Sequence, residues 1–414
     1  MCLGQSMLSA FEILFLIPFV ALFIGQVYLN VIVRIAFRKP SPPQLHDENA
    51  PRILMILCLK GGDPHLKSCL QRLSSQDYPN YQLRIIIDSA EDPAWPIVEE
   101  FQKENPHVDC EVRSLGERRP TCSGKISSML RGTEDLEGFD IVAFVDGDAQ
   151  IEPFCLHRLA EGLIDPQVGV VTGNRWYVPQ STQLGTFCCY TWNMYAVPMM
   201  IAAEIPWGGC LAVRAEDMQS GPLREHLNRS FGEDSAIASF MRKQGKQTSF
   251  LPDLLVLNHE DCGMQQLYNF VMRQYLTVRL QNPRWVIVVA YNLIVSLLFS
   301  IGMLGSMIPN LYQSQFLTGL SIITLSSLAL AITIQNMVRD RVRKIAGRSI
   351  FWVTPARFLV FLISIPTTML INLLTTVQSL FTREHVWRGL KYRFGGDPPV
   401  QLVEPKESRE HSVI

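Results

Sequence analysis

Apolar runs long enough to cross a bilayer stand near the two ends of this 414-residue chain, and its middle has none. Ile13 to Val33 is almost continuously apolar, interrupted by Gln26 and Asn30. About 20 such residues span a bilayer core as a helix. No Lys or Arg precedes the run, whereas Arg34, Arg38 and Lys39 follow it. The positive-inside rule therefore puts its C-terminal end in the cytosol. A cleaved signal peptide would carry a basic start and a small-residue cleavage site, and neither is evident, so the run reads as a retained anchor.

Val286 to Ile308 and Leu317 to Ile334 are two further runs. The connector Pro309 to Phe316 has no Lys or Arg, while Arg339, Arg341, Arg343, Lys344 and Arg348 follow the second run, which again fits positive-inside. Phe358 to Phe381, containing Pro366, reads as a full span or as a re-entrant element buried in protein. Counting spans puts the C-terminus outside, and the basic stretch Arg383 to Arg393 argues the other way. The chain thus divides into an anchor over 1–39, a cytosolic domain over 40–255, an interfacial amphipathic region over 256–285, membrane helices over 286–382 and a basic motif with polar tail over 383–414. Ser41, Pro42 and Pro43 form the linker into the cytosolic domain, and Asp397 to Ile414 reads as a mobile tail.

Composition narrows the classes further. At 48% hydrophobic and 18% charged, the chain is no disordered protein. A net charge of -1 gives no support to nucleic-acid binding. Ten cysteines are too sparse for a disulfide scaffold, none forms a CxxC pair, and those facing a reducing cytosol are expected as thiols. The eight histidines make no metal-ligand spacing.

The cytosolic part reads as α/β with a largely parallel sheet. Arg52 to Cys58, Leu83 to Ile87, Ile141 to Val145 and Gly169 to Thr172 are strand candidates. His65 to Leu73 and Val98 to Lys103 have helical spacing between them. Such sheets bind ligands beyond the carboxyl ends of their strands. Two candidate strands end in acids there: Ile87 runs into Asp88, and Val145 into Asp146.

Asp146-Gly147-Asp148 can converge two carboxylates on a divalent cation such as Mg2+, which is commonly held by one or two carboxylates plus substrate phosphates. Asp88 and Asp92 read either as a polar turn capping the next helix or as a nucleotide contact. Glu233 and Asp234 open a helix, where acids suit the dipole, and Asp234 can alternatively serve as a general base. Trp207-Gly208-Gly209 makes a turn or lets a substrate approach. Phe187 to Ile205 reads as a buried or interfacial helix. Gln281, Arg284 and Trp285 either anchor a helix end or hold a phosphate leaving group and stack on an acceptor, and Arg273 lies on an upstream helix of the same basic and aromatic character.

These pieces, in this order, resemble the membrane-bound family 2 glycosyltransferases and, more narrowly, the ceramide glucosyltransferase group, over nearly the whole chain. Cys58 to Leu66 resembles that group's first loop, and Asp77-Tyr-Pro-Asn-Tyr81 its following turn. Glu91-Asp92-Pro-Ala94 matches its first aspartate motif, although Asp88 fits the broader superfamily better. Gly124-Lys125-Ile-Ser resembles a Lys-containing loop near the diphosphate. Asp146-Gly-Asp148 stands at the metal motif, Glu233-Asp234 at the base motif and Val386 to Arg393 at a C-terminal signature. For the Gln/Arg-x-x-Arg-Trp motif, Arg273 fits by spacing, with Gln274 where Trp is expected, and Gln281 with Arg284 and Trp285 fits by sequence.

The resemblance implies a GT-A-type, Rossmann-like domain facing the cytosol, in a bacterial inner membrane or in the Golgi or ER of a eukaryote. It implies transfer of a sugar, glucose in first place, from a UDP-sugar to a membrane lipid hydroxyl, with inversion. Asp146 and Asp148 would hold Mg2+ or Mn2+, and Asp88, Asp92 and Lys125 would bind the donor. Asp234 would be the base. Trp207, Glu233, Arg273, Gln281, Arg284 and Trp285 would contact the acceptor or the diphosphate. A processive polysaccharide synthase, a diacylglycerol glucosyltransferase and a donor-binding membrane scaffold are the alternatives.

Overall fold

The computed structural model describes residues 10–38, 44–308, 313–347 and 354–403. The chain opens with the long helix α1 (Ala10–Arg38) and then alternates strand and helix. In order come β1 (Ile53–Leu59), α2 (Leu66–Ser74), β2 (Tyr81–Ile87), α3 (Ala94–Glu104), β3 (Cys110–Ser114), α4 (Gly124–Gly132), β4 (Ile141–Val145), α5 (Cys155–Gly162) and β5 (Val168–Tyr177). There follow α6 (Leu184–Ala203), β6 (Cys210–Arg214), α7 (Ala215–Gln219), α8 (Gly221–Leu227), α9 (Glu233–Lys243) and β7 (Gln247–Asn258). The last third is α10 (Met264–Gln281), α11 (Trp285–Ser306), α12 (Gln313–Ala346), α13 (Pro355–Phe381), β8 (Glu384–Trp387), β9 (Leu390–Phe394) and β10 (Val400–Val403).

The central sheet has the order β3-β2-β1-β4-β6-β5-β7. Its first four strands run parallel, β6 runs antiparallel between β4 and β5, and β7 is parallel to β5. The reason lies in the residues: β1 and β4 are apolar on both faces, and β2 departs from that only at Gln82 and Arg84, so both faces must be covered. One face packs Met55, Leu57 and Ala143 against Leu70, Val98 and Leu156. The other packs Leu54, Ile56 and Phe144 against Met129, Leu223 and Ile237. Leu59 pairs with Ile87 and Leu57 with Val145, so these strands finish side by side. Lys60, Asp88 and Asp146 therefore emerge at one edge.

A second core joins α1, α6, α10, α11, α12 and α13, through Phe19, Leu29, Tyr190, Tyr275, Val295, Ile334 and Phe361 among others. Four stretches are long and apolar enough to cross a membrane: Leu14–Arg38, Trp285–Ser306, Ser314–Lys344 and Pro355–Phe381. Their outer faces expose large apolar side chains, Ile24, Ile287, Leu325 and Leu359 among them. α12 continues past Ile334 through the basic residues. Ile334, Val338 and Val342, four apart and buried, keep one apolar face inward while Arg341 pairs with Asp253. α13 is a single helix across Pro366. α6, apolar and largely buried, packs with these helices rather than with the sheet alone.

Two expectations need correction. The tail expected from Asp397 begins later, because Val400–Val403 pairs with β9 and buries Val400; residues 404–414 lie outside the described residues. Lys125 is on no loop: Ser123 caps α4, its Oγ accepting from Ile126 N at 3.3 Å, and Lys125 stands in the first helical turn. The linker residues Ser41, Pro42 and Pro43, and Arg348, lie outside the described residues.

Candidate active site

The loops at the strand ends line a cleft of about 1260 Å³. β4 turns directly into Asp146, whose Oδ1 accepts from Lys125 Nζ at 2.5 Å. The same Nζ lies 2.5 Å from Glu233 Oε1 and 3.4 Å from Gly208 O, so the ammonium ties three elements together. Burial alone would lower the pKa of Lys125, but Asp146 and Glu233 carry it above the ordinary range, and it stays charged. Burial likewise works against ionised Asp146, yet Lys125, then Arg175 and Arg388, hold its carboxyl below the usual range. Asp148 Oδ2 accepts from Arg175 Nη1 at 3.4 Å. The Arg175 guanidinium stands over the rings of Tyr177, Phe270 and Trp207 at 5.1, 5.4 and 5.7 Å.

Glu233 and Asp234 begin α9, where the helix dipole favours acids. Asp234 Oδ2 accepts from Gly208 N at 3.1 Å and Oδ1 from Ser235 N at 2.5 Å. Gly208 is required here by space: a Cβ on it would lie 2.3 Å from Glu233 Oε1. Burial, then the neighbouring Glu233 charge, push the Asp234 carboxyl up to about 7. A carboxyl that ionises near neutrality is suited to taking and giving a proton.

Asp88, 4% exposed at the end of β2, accepts from Lys60 Nζ at 2.5 Å and from Arg118 Nε at 2.9 Å. Burial works against its charge, and Arg118 and Lys60 outweigh burial and hold it below the usual carboxylate range. Asp92 behaves otherwise. Its carboxylate accepts from Gly61 N at 3.0 Å and Ala94 N at 2.9 Å, capping α3 and pinning the loop after β1, and it does not line the cleft.

Arg273 of α10 reaches the cleft, its guanidinium 4.9 Å from the Trp387 ring centre. Among the described residues it forms no ion pair. Burial, then the like charges of Arg175 and Arg388, lower its pKa. The C-terminal sheet closes this side. Phe231 packs against Trp387, Tyr392 and Phe394, and Tyr392 OH accepts from Gly124 N at 3.0 Å. Arg388 and Gly389 form the β8–β9 turn, both with positive φ (47° and 74°), which suits a two-residue hairpin. That turn swings Arg388 over the cleft, where its Nη1 donates to Lys60 O at 2.8 Å.

Trp207, Glu233, Asp234, Lys125, Asp146, Asp148, Asp88 and Arg273 thus share one cleft. Gln281, Arg284 and Trp285 do not line it. Arg284 Nη1 pairs with Glu204 Oε1 at 3.1 Å and donates to Ala202 O, and Trp285 packs beside Val278 and Val288, because the chain beyond α10 turns back against α6. Sequence reasoning gave no role to Lys60, Arg118, Arg175 or Arg388. Arg175 had one local signal, a charge in an otherwise uncharged strand. Arg388 sat inside the quoted C-terminal stretch without a role.

A second cavity, of about 1000 Å³, lies between the helices. Leu29, Met199, Val295, Leu330 and Met369 give it an apolar wall. It shares Trp207, Asp234, Gln274 and Thr277 with the charged cleft.

Among the described residues no three His, Cys, Asp or Glu side chains come together to hold a metal. Asp146 and Asp148, with side chains 30% and 21% exposed, offer hard oxygen donors at the cleft wall. That donor set fits a divalent cation whose other ligands are phosphate and water oxygens.

The family model described as Glycosyl transferase family 21 matches residues 13–398. A ceramide glucosyltransferase of Komagataella phaffii is 26% identical over 141 residues, 33% of this chain and 26% of that protein. One of Gibberella zeae is 26% identical over 142 residues, 32% and 27% of the two. The chain thus spans only about a quarter of the length of these relatives. The solved mannosyltransferase PcManGT from Pyrobaculum calidifontis, in complex with GDP-Man and Mn2+, superposes with a TM-score of 0.50 at 15% identity, over 89% of this chain and 99% of that one. That likeness shows a shared GT-A fold. With its family match running over nearly all of its length, the chain belongs to glycosyl transferase family 21.

Proposed function

We propose that the protein moves glucose from UDP-glucose to the primary hydroxyl of a membrane lipid, ceramide in first place, with inversion at the anomeric carbon. The observation that carries this reading is the position of Asp234, on the wall common to a charged cleft and an apolar cavity between membrane-length helices. One side suits a nucleotide diphosphate and the other a lipid tail, and a base stands where they meet.

In this reading Arg175, Arg273, Arg388 and Lys125 surround the diphosphate, and Asp88 orients the nucleoside. Among the described residues Arg273 and Arg388 carry positive charge with no ion pair of their own, so a dianion relieves their mutual repulsion. A divalent cation held by Asp146 and Asp148 would neutralise charge on the diphosphate when bound. Asp234 takes the proton of the lipid hydroxyl at a carboxylate oxygen. The hydroxyl oxygen bonds to the anomeric carbon, the bond from that carbon to the diphosphate breaks, and its electron pair leaves with UDP. Attack from the face opposite the leaving group turns an α-linked donor into a β-linked product. The C-terminal hairpin keeps water from competing.

α1, α11 and α12 are proposed to cross the membrane with the cleft on the cytosolic side, while α13 fits the re-entrant alternative, since Arg357 in its first turn donates to Gln180 O beyond β5 and the hairpin that follows it covers the cleft. In support, Arg34, one turn before the end of α1, donates to Thr333 of α12, and Arg341 of α12 pairs with Asp253 of β7, so the basic helix ends lie on the side of the α/β domain. The test is a panel of UDP-sugars with total lipid extract, read by mass spectrometry. One hexose on ceramide is the expected product. A long polymer, or no lipid product from any donor, overturns the proposal.

A further inference from the structure

The cavity between the helices contains buried polar atoms that have no partner among the described residues. Gln26 interrupts the apolar run of α1 and is 5% exposed. Its Nε2 donates to Ser327 Oγ of α12 at 3.2 Å, which fixes the amide, while its Oε1 is buried without a hydrogen bond. Tyr195 of α6 and Tyr291 of α11 each add a buried hydroxyl without a partner. All three residues line the cavity that opens on Asp234 and Trp207. Three helices therefore place a polar patch in an otherwise apolar wall.

An unpaired buried polar group is destabilising, because it has given up its bonds to water and gained none. Within a bilayer core no bulk water relieves it. What relieves it is set by the atoms. With one amide hydrogen held by Ser327, the atom of Gln26 left without a partner among the described residues is Oε1, which needs an N–H or O–H from the occupant. The tyrosine hydroxyls can donate or accept. The hydroxyl that reacts at Asp234 is already committed, so the occupant must bring a second donor. An N-acyl amino alcohol brings an amide N–H, and a secondary hydroxyl where it has one. A diacylglycerol brings ester oxygens, which only accept and leave Gln26 Oε1 unpaired.

We infer that Gln26, with Tyr195 and Tyr291, selects acceptor lipids that carry a second hydrogen-bond donor beside the reacting hydroxyl. The first helix is then part of the acceptor site as well as an anchor. This rests on the lipid-transfer reading above and goes beyond it by assigning acceptor choice to named residues.

The test compares initial rates on a short-chain N-acyl amino alcohol and a short-chain diacylglycerol, for the full chain and for Gln26→Leu, with UDP affinity as the control for folding. The wild type is expected to prefer the amide lipid, and Gln26→Leu to reduce that preference about tenfold, the size expected when one buried acceptor no longer needs a partner. An unchanged ratio in a Gln26→Leu protein that still binds UDP overturns the inference, and is the result expected if the patch holds only water. A wild-type preference for the diacylglycerol overturns it as well. Should Gln26→Leu fail to bind UDP, Tyr291→Phe decides by the same ratio: a fall supports the inference and no change overturns it. A wild type that glycosylates neither lipid is a separate failure, that of the lipid-transfer reading, and takes the inference with it.

Discussion

In the cleft at the strand ends, charge answers charge: Asp88 faces Lys60 and Arg118, Asp146 faces Lys125, and Asp148 faces Arg175. In the cavity between the helices the polar groups other than Asp234 are neutral, and several have no partner among the described residues. The two spaces share a wall, so the difference follows from their surroundings. The cleft opens on water beside the α/β domain, where ionised groups can be arranged before a charged ligand arrives. The cavity lies between helices with apolar outer surfaces, where an ionised group would be costly and a neutral hydroxyl or amide is tolerable. A site assembled this way can hold a polyanion and an apolar chain a few atoms apart. Asp234 sits at the boundary, and its carboxyl, pushed up to about 7 by burial and Glu233, reflects both sides.

The sharpest way to break this comparison is at the boundary itself. Asp234→Asn keeps the size of the side chain and removes the base, so transfer should fall by about 10²–10⁴-fold. UDP affinity should hold, as read by calorimetry. Undiminished transfer would remove Asp234 from the chemistry. On the charged side, Arg273→Leu takes away a cation without breaking an ion pair among the described residues. Losing one preorganised electrostatic group at a developing charge costs about 10²–10³-fold in kcat. Steady-state kinetics that show kcat unchanged would detach α10 from the donor.

A smaller effect concerns pH. Only the ionised Asp234 can accept a proton, and its pKa lies near 7. The transfer rate should therefore fall about tenfold per unit as pH drops below that value and level off above it. Glu233→Gln removes a charge that raises this pKa, so the inflection should move to lower pH. A profile flat across the neutral range contradicts the assignment. The smallest effect belongs to the helices alone. Tyr190 OH donates to Gln335 Oε1 at 2.5 Å, between α6 and α12. Tyr190→Phe should lower stability by about 1 kcal/mol and leave UDP affinity untouched, as followed by thermal unfolding in detergent.

Some of this site was readable because its signals are local. A strand that closes on apolar residues and runs into an acid, as at Val145-Asp146 and Ile87-Asp88, announces a buried strand and the edge where ligands bind. The four apolar runs announce span-length helices, since the length of a helix follows directly from its residue count. Asp88 and Asp92 had equal standing in the sequence and very different fates. One faces the cleft, and the other is spent on two backbone amides. Arg273 and Arg284 were equal candidates too, until the turn after α10 carried Arg284 to Glu204.

What the sequence determined alone was therefore the parts: strands, spans, and the acids at strand ends, all set by neighbours within a few residues. What only the tertiary structure decided was which charges meet. Arg388 arrives from a hairpin near the C-terminus to bond Lys60 O, and Gln26 finds Ser327 more than half the chain away. The raised Asp234 carboxyl needs burial by several elements at once. Burial and long-range pairing depend on how distant segments pack, and no local pattern of residues carries that information.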